Sequence, residues 1–275
     1  MRTRKERRTK YIIMVIVSLI VILPYLWMIS TSLKTPSKIF VSPPQWIPNP
    51  VRWQNFVDLF TQSNYALYLW NSLKVSALTT IGTVIVAALA GYAVAKIKFP
   101  GSNFFFMLFL SAMMLPVEVI TIPTFLGLAK FGLTNSHFAL IVPQIFGMGG
   151  AFGIFMMRQY FITVPNELVE AGKIDGCSQA RIFRQIILPM ASSTIACLVI
   201  YTFFNTWNDY FLPLIYLSDS KKYTSTLALS LFADEVGVSW NLVMAASLVS
   251  TLPLLIVFFC AQEKFIESMA MSGIK

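Results

Sequence analysis

Residues 165–189 read PNELVEAGKIDGCSQARIFRQIILP, a polar island between two long apolar runs. Pro165-Asn166 has the pattern of a helix start. Asn166 caps free N–H groups, and Glu167 and Glu170 place negative charge near the positive end of the helix dipole. Asp175-Gly176 marks the stop, because glycine tolerates the left-handed backbone found just past a helix end. Ser178 then caps a second helix that runs through Arg184 and Ile187 and is ended by Pro189. The small residues Ala171, Gly172, Gly176 and Cys177 let another protein's backbone approach closely. Glu167, Glu170, Lys173, Asp175 and Arg181 offer polar contacts around that patch. The residues alone leave two readings open, a helix lying on a membrane surface and a helix docked to a partner protein.

The runs on either side of this island set the class of protein. Of 275 residues, 56% are hydrophobic and 12% charged, against roughly 25% charged in soluble domains. Mean hydropathy is +0.69. A soluble enzyme and a disordered chain are both excluded. Cys177, Cys197 and Cys260 lie far apart with no CxxC pair, which excludes a disulfide framework and a zinc ribbon. A membrane-spanning helix needs ~20 mostly apolar residues. Six stretches qualify: 11–33, 72–95, 104–126, 138–157, 190–217 and 242–260. Pro116, Pro123, Pro143 and the run Gly147-Met148-Gly149-Gly150 would break an isolated helix, but a bundle tolerates such breaks. The first stretch is too long for a signal peptide, and Trp27 and Met28 stand where small cleavage-site residues are expected, so it reads as a retained helix.

Placing the N-terminus inside puts Arg2, Arg4, Lys5, Arg7, Arg8, Lys10 and eight further basic residues on the inner side, leaving seven of the 21 outside. That asymmetry supports cytoplasmic N- and C-termini and accounts for the basic pI without nucleic acid. Residues 1–10 are then a basic tail, 11–33 the first crossing and 34–71 an ordered, extended, proline-rich external loop. Residues 72–262 form a five-helix core containing the inner loop 158–189, and 263–275 a C-terminal tail.

Glu170-Ala171-Gly172, three residues, Gly176, nine residues and Ile186-Ile187-Leu188-Pro189 together resemble the EAA motif of binding-protein-dependent ABC importer permeases. Gly172 replaces the usual Ala, and Cys177 sits where a small Ala is frequent, so both departures keep the site small. The resemblance extends over nearly the whole chain and narrows to the carbohydrate-uptake subfamily that contains the second maltose permease subunit. It is carried by Ser32-Leu33-Lys34, Phe40, Pro43-Pro44, Trp46-Ile47-Pro48 and Asn55-Phe56. Asn71-Ser72, Gly91-Tyr92-Ala93, Trp207-Asn208-Asp209 with Pro213-Leu214, and the end with Gln262, Phe265, Gly273 and Lys275 add to it. The resemblance implies an all-α integral membrane protein of type I ABC importer permease architecture in the bacterial cell membrane, with six transmembrane helices. It also implies a second permease subunit, two copies of an ATPase, an extracytoplasmic solute-binding protein and a sugar substrate. The Glu170 segment would be the coupling helix in the ATPase cleft.

No GxxxxGK[ST] loop is present, so ATP and magnesium are expected in partner subunits and this chain is expected to carry no cofactor and no catalytic activity. The one histidine, His137, reads as structural, and neither GxSxG nor HExxH occurs. Ionisable groups inside a span default to function. Glu118 falls near the middle of the third span and Asp209 near the outer end of the fifth. Thr202, Asn205 and Asp209 share a helical face, flanked by Tyr201 and Trp207, and suit hydrogen bonding and stacking with a sugar. The structural alternative has Asn205, Asn208 and Asp209 joining helices by hydrogen bonds and Trp207 anchored at the interface. Ala87, Gly91 and Ala95 form a small-residue ridge for helix packing. A proton-coupled secondary carrier using Glu118 or Asp209 is the alternative function. A membrane enzyme would need a nucleophile, metal or acid–base cluster, which the sequence does not offer.

Overall fold

The structure, a computed structural model, describes residues 4–97, 99–234 and 237–272. Arg2, Lys98, Gly273 and Lys275 lie outside the described residues, as do the side chains of Arg4, Lys5, Arg7 and Phe265. Among the described residues, four helical stretches are long and apolar enough to cross a membrane, and up to six crossings result if each of two bent helix pairs is one span.

One compact unit comprises the described residues up to Leu67 with Ala228–Leu252. Helix α1 (Arg4–Ser32) presents its most apolar window entirely to the outside, a surface that only lipid or another apolar helix covers favourably. The loop that follows α1 is ordered but less extended than its prolines suggest. Pro36 opens a 3-10 turn, and α2 (Gln54–Thr61) forms on an amphipathic stretch that buries Asn55 and Leu59. Asn55 explains why the loop is ordered: its Nδ2 donates to the carbonyls of Ser32 and Lys34, both at 2.8 Å. Its Oδ1 accepts from Asn241 Nδ2 at 2.9 Å. One fully buried amide thus satisfies backbone groups at the end of α1 that would otherwise be orphaned. Trp27 packs edge-on against Trp46 at 5.0 Å, and Lys34 Nζ lies 4.0 Å from the Trp27 ring centroid.

The second unit comprises Tyr68–Leu227 and the chain from Pro253 on. Helix α3 (Tyr65–Lys96) is continuous. The third predicted span is not. It divides into α4 (Ser102–Ala112) and α5 (Val117–Lys130), which meet at 100°. Pro116 is the cause, since it has no N–H to donate and forces the residue before it out of the helical region. The fourth span holds α6 (His137–Phe146) and α7 (Met148–Thr163), interrupted at Gly147. A Cβ at Gly147 would collide with the Pro143 carbonyl, one at Gly149 would stand 3.0 Å from the Gln144 carbonyl, and one at Gly150 would collide with that of Ile145. These glycines let α7 begin directly over the last carbonyls of α6.

Helix α8 (Asn166–Ile174) begins the loop between the fourth and fifth spans and is followed by α9 (Gln179–Ile182), a π-helical turn at Phe183–Ile187 and α10 (Leu188–Met190). Pro189 does not end this segment, contrary to expectation. Leu188 N–H reaches back five residues to Phe183, widening the turn around the proline, and the bend of 76° comes after Met190. The fifth span is also shorter than its apolar run. Helix α11 (Ser192–Asn208) stops at Asp209, and α12 (Phe211–Tyr216) continues separately. Helix α13 (Ser225–Ala228), a two-residue antiparallel pair β1 (Ala233–Asp234) and β2 (Gly237–Val238), and α14 (Trp240–Ser272) complete the order.

Two apolar cores stand among the described residues of this second unit. One gathers Ala87, Tyr92, Met157, Phe161, Ile182 and Leu198 beside α8 and α9. The other gathers Val75, Ala139, Leu140, Tyr216 and Leu217. The predicted small-residue ridge serves the first: a Cβ at Gly91 would stand 2.8 Å from Met157 Cβ, and one at Gly153 would stand 2.9 Å from Ala87 Cβ.

Candidate functional site

Two features gather the residues singled out by sequence, the helical pair α8 and α9 and a cavity among the broken spans. Helix α8 starts after Pro165, whose backbone is extended. Asn166 is the first helical residue and makes no cap; its Oδ1 accepts from Lys96 Nζ at 2.8 Å instead. The stop at Gly176 is as expected, with φ +75°. Cys177 N–H bonds the Gly172 carbonyl at 2.9 Å and Gly176 N–H the Lys173 carbonyl at 3.0 Å, the two bonds of a Schellman motif. Ser178 Oγ accepts from Arg181 N–H at 3.3 Å and so caps α9.

The two faces of α8 differ. Val169 and Gly172 are buried, and a Cβ at Gly172 would stand 2.9 Å from Ile182 Cγ1 and 3.3 Å from Ile186 Cδ1. The smallness of Gly172 therefore serves contact between α8 and the following segment, not the approach of another protein. Cys177 is half-buried and packs toward the same core. The opposite face carries Glu167, Glu170, Ala171 and Ile174, spaced i, i+3, i+4, i+7. All four are exposed, Ile174 by 86%. Lys173, Asp175, Gly176 and Arg181 are exposed as well. Ile174 was not among the expected residues, although the helical spacing from Glu167 would have found it.

This pair is tied to the end of α3. Lys96 Nζ donates to the Val164 carbonyl as well as to Asn166. Tyr92 O–H donates to Gln179 Oε1 at 3.0 Å, and its ring lies 4.9 Å from that of Phe183 and 5.9 Å from that of Phe161.

The cavity has a volume of about 680 Å³, within the ~300–1,000 Å³ of small-molecule sites. Tyr201, Thr202, Asn205 and Asp209 line it, as the shared face predicts. Trp207 does not: it is 2% exposed and stacks on Phe203 at 5.6 Å, so it is neither a wall residue nor an interfacial anchor. Asn208 is exposed, off the wall, and donates to the Phe204 carbonyl of its own helix. Glu118 is exposed in the first turn of α5 and is also off the wall. It lies just past the Pro116 break, not in the middle of a continuous span.

Asp209 sits where α11 ends. Its Oδ1 accepts from Leu212 N–H at 3.2 Å, capping the start of α12. Its Oδ2 lies 3.4 Å from Gln144 Nε2, and Gln144 Oε1 accepts from Thr206 Oγ1 at 3.0 Å. Gln144 joins two broken spans and was not foreseen, although a lone amide between Pro143 and Gly147 is a visible signal. Thr79 on α3 was also missed. It is 1% exposed, lines the cavity, and its hydroxyl has no hydrogen-bond partner. It belongs to a buried row, Ser72, Ser76, Thr79 and Thr83, at helical spacing. His137, at the start of α6, bonds the Lys222 carbonyl at 2.8 Å and ties down a loop, a structural part as expected.

Residues 83–270 match the family described as "Binding-protein-dependent transport system inner membrane component". The sn-glycerol-3-phosphate transport system permease protein UgpE of Yersinia pestis bv. Antiqua is 32% identical over 268 residues, covering 94% of each chain. The arabinooligosaccharides transport system permease protein AraQ of Halalkalibacterium halodurans is 31% identical over 229 residues, covering 83% of this chain and 81% of that one. The fold is similar to a chain of a bacterial ABC transporter involved in the import of the acidic polysaccharide alginate. The TM-score is 0.83 at 19% identity, covering 96% of this chain and 99% of that one.

Proposed function

We propose, from the premise that this chain belongs to the family of binding-protein-dependent transport system inner membrane components, that it is one permease half of an ATP-driven carbohydrate importer. It is a multi-pass inner-membrane protein. The relatives are named for transport of sn-glycerol-3-phosphate and arabinooligosaccharides, and the structural neighbour for alginate. All three are polyhydroxylated solutes, and this shared chemistry supports a carbohydrate. The chain pairs with a second permease, two ATPase copies that bind ATP and magnesium, and an extracytoplasmic solute-binding protein. It is itself no enzyme. Its N- and C-termini face the cytoplasm, which puts residues 158–189 on the ATPase side.

The observation that carries this reading is the two-faced α8. Its buried face is locked to the chain's own core, and its outer face offers Glu167, Glu170, Ala171 and an almost fully exposed Ile174. An isoleucine so placed between carboxylates suits the cleft of a partner better than open cytoplasm. Lys173, Asp175 and Arg181 flank the contact, Gly176 and Cys177 close the helix, and Gly172 holds it to α9. ATP-driven closure of the ATPases moves α8, and the ties at Tyr92 and Lys96 pass that movement to α3. The carrier alternative loses one of its two proton sites, because Glu118 is off the cavity wall.

Glu170→Lys tests the assignment. Glu170 is exposed, so reversing its charge costs the fold little. Native purification of the tagged chain is expected to bring a Walker-motif ATPase and a second permease with the wild type. With Glu170→Lys it is expected to lose the ATPase, or to keep it while hydrolysis no longer drives uptake. Normal uptake by this variant sinks the coupling role.

A further inference from the structure

The loop after α1 stays at the membrane face instead of rising from it. Two candidate spans, Arg8–Ser32 within α1 and Trp240–Lys264 within α14, end against it. Asn55 of α2 bonds the Ser32 carbonyl at one of those ends and the Asn241 amide at the other, so α2 sits level with both. Arg52 N–H donates to the Leu33 carbonyl at 2.8 Å. Further back along α1, Ser30 Oγ donates to the Trp46 carbonyl, and the Trp46 ring packs on Trp27. The loop therefore doubles back beside the last two turns of α1. At ~1.5 Å per residue, an upright span centred near Ile20 leaves a ~30 Å hydrocarbon core near Ser30. Trp46 is thus held at the edge of the hydrocarbon, and α2 in the headgroup zone.

Helix α2 is built for such a boundary, because it has three strips and not two. Asn55 and Leu59 are buried against the rest of the chain. Trp53, Val57 and Phe60, spaced i, i+4 and i+7, form an exposed apolar strip. Gln54, Asp58 and Gln62 form a polar one: both glutamine amides donate to Asp58 Oδ1, at 3.0 and 3.1 Å, and Arg52 pairs with Asp58 at 3.4 Å. Apolar and polar strips side by side on the outside suit the boundary between lipid and water. Ile47, next to the anchored Trp46, is 82% exposed. It continues the apolar surface of α1, whose span window is wholly uncovered.

We propose that residues 46–60 form a seat in the membrane interface and that the partner of this surface is the lipid itself. Ile47, Trp53, Val57 and Phe60 enter the boundary between acyl chains and headgroups, Trp46 fastens the loop to α1 at that depth, and the Asp58 cluster faces water. The seat fixes the height at which the ends of α1 and α14 stand in the bilayer. This inference rests on the membrane crossings alone, so it stands or falls apart from the solute and from what drives its transport.

The test uses the wild-type chain with the subunits that co-purify with it, in vesicles of phosphatidylethanolamine and phosphatidylglycerol. The vesicles are doped with a phosphatidylcholine whose diazirine stands either beside the glycerol or at the end of an acyl chain. After illumination, adducts are located by mass spectrometry on the tryptic peptides 39–52 and 53–74, with the middles of the membrane spans of the same complex as the depth standard. The glycerol-side probe is expected to label Ile47 and the Trp53, Val57 and Phe60 strip severalfold more than the chain-end probe, and the order is expected to reverse in the middles of the spans. If neither probe labels residues 46–60 while the spans are labelled, the strip faces water or a partner subunit and the seat is overturned. Adducts that vanish when the solute-loaded binding protein is added make the strip a protein-docking face and overturn it as well. An excess of chain-end adducts at Ile47 and Phe60 puts the loop in the hydrocarbon and overturns the interfacial depth.

Discussion

Tyr92 decides how the segment from α8 to α10 is fastened to the spans. Its side chain makes two kinds of contact that separate substitutions can remove. The ring is 4% exposed and lies 4.9 Å and 5.9 Å from two phenylalanine rings. The hydroxyl donates to Gln179 Oε1 at 3.0 Å. Tyr92→Phe removes only the hydrogen bond. Gln179 is exposed, so water takes over the vacated acceptor, and the cost is ~0.5–1 kcal/mol, the low end for such bonds. Tyr92→Ala removes a buried ring at a junction of three elements and costs ~3–5 kcal/mol. That figure includes ~0.5–1.5 kcal/mol for each aromatic pair. The two variants are expected to differ by at least ~2 kcal/mol, more than tenfold in the folded fraction. Denaturant titration of the purified complex in mixed micelles reads the stability, and ATP hydrolysed per solute imported reads the coupling. Tyr92→Phe is expected to stay coupled, and Tyr92→Ala to hydrolyse ATP without matching uptake. If Tyr92→Phe loses as much as Tyr92→Ala, the fastening is the hydrogen bond and the packing argument fails. If Tyr92→Ala keeps both stability and coupling, motion does not reach α3 through this ring.

Gly172→Val drives side-chain atoms into the fully buried Ile182 and is expected to destabilise by ~1–3 kcal/mol. Adding Ile182→Ala is expected to make the pair less damaging than the sum of the single changes, and additive melting shifts would show that the two side chains do not meet. Lys34 is 1% exposed, and its ammonium faces the Trp27 ring without a hydrogen-bond partner. Burial pulls its pKa below the usual 10.5. The unfolded chain then holds the proton more tightly than the folded one, so this residue's contribution to stability rises as pH climbs from the folded pKa toward 10.5. Lys34→Met is expected to remove that rise from melting curves taken between pH 7 and 10; an unchanged slope would assign it to another group.

The parts that the sequence made legible are those governed by local rules. The Schellman stop at Gly176 and the cap by Ser178 follow from two or three adjacent residues. Three long apolar runs became the long helices α1, α3 and α14 for the same reason. The errors arose where a local rule competes with a distant partner. Asn166 has the chemistry of a cap, but Lys96, 70 positions away, takes its oxygen. Gly172 is small for the sake of Ile182, and nothing in the motif itself names that neighbour. Trp207 follows the helical face closely enough to suggest a wall residue, yet Phe203 one turn back draws it into the packing. The cavity was half legible, since helical spacing groups residues of one helix but says nothing about which helix comes to face it.

The helix breakers supply that missing information when read together. The third span breaks before Pro116, the fourth at Gly147 and the fifth at Asp209. Met113 and Val117, Gln144 and Gly147, and Asp209 and Phe211 lie at or beside those three breaks, and all six line the same cavity. Backbone that leaves the helix at membrane depth has N–H and C=O groups to satisfy, and lipid satisfies none. Such backbone is tolerable only against protein or around a polar space, so breaks in neighbouring spans are driven to the same place. Some of the freed donors are met by side chains there, as Asp209 meets Leu212 N–H. The side chains recruited for that work are polar groups held in an otherwise apolar bundle, which is also what a solute site requires. The prolines and glycines that made the third and fourth spans the hardest to delimit are therefore the residues that locate the cavity.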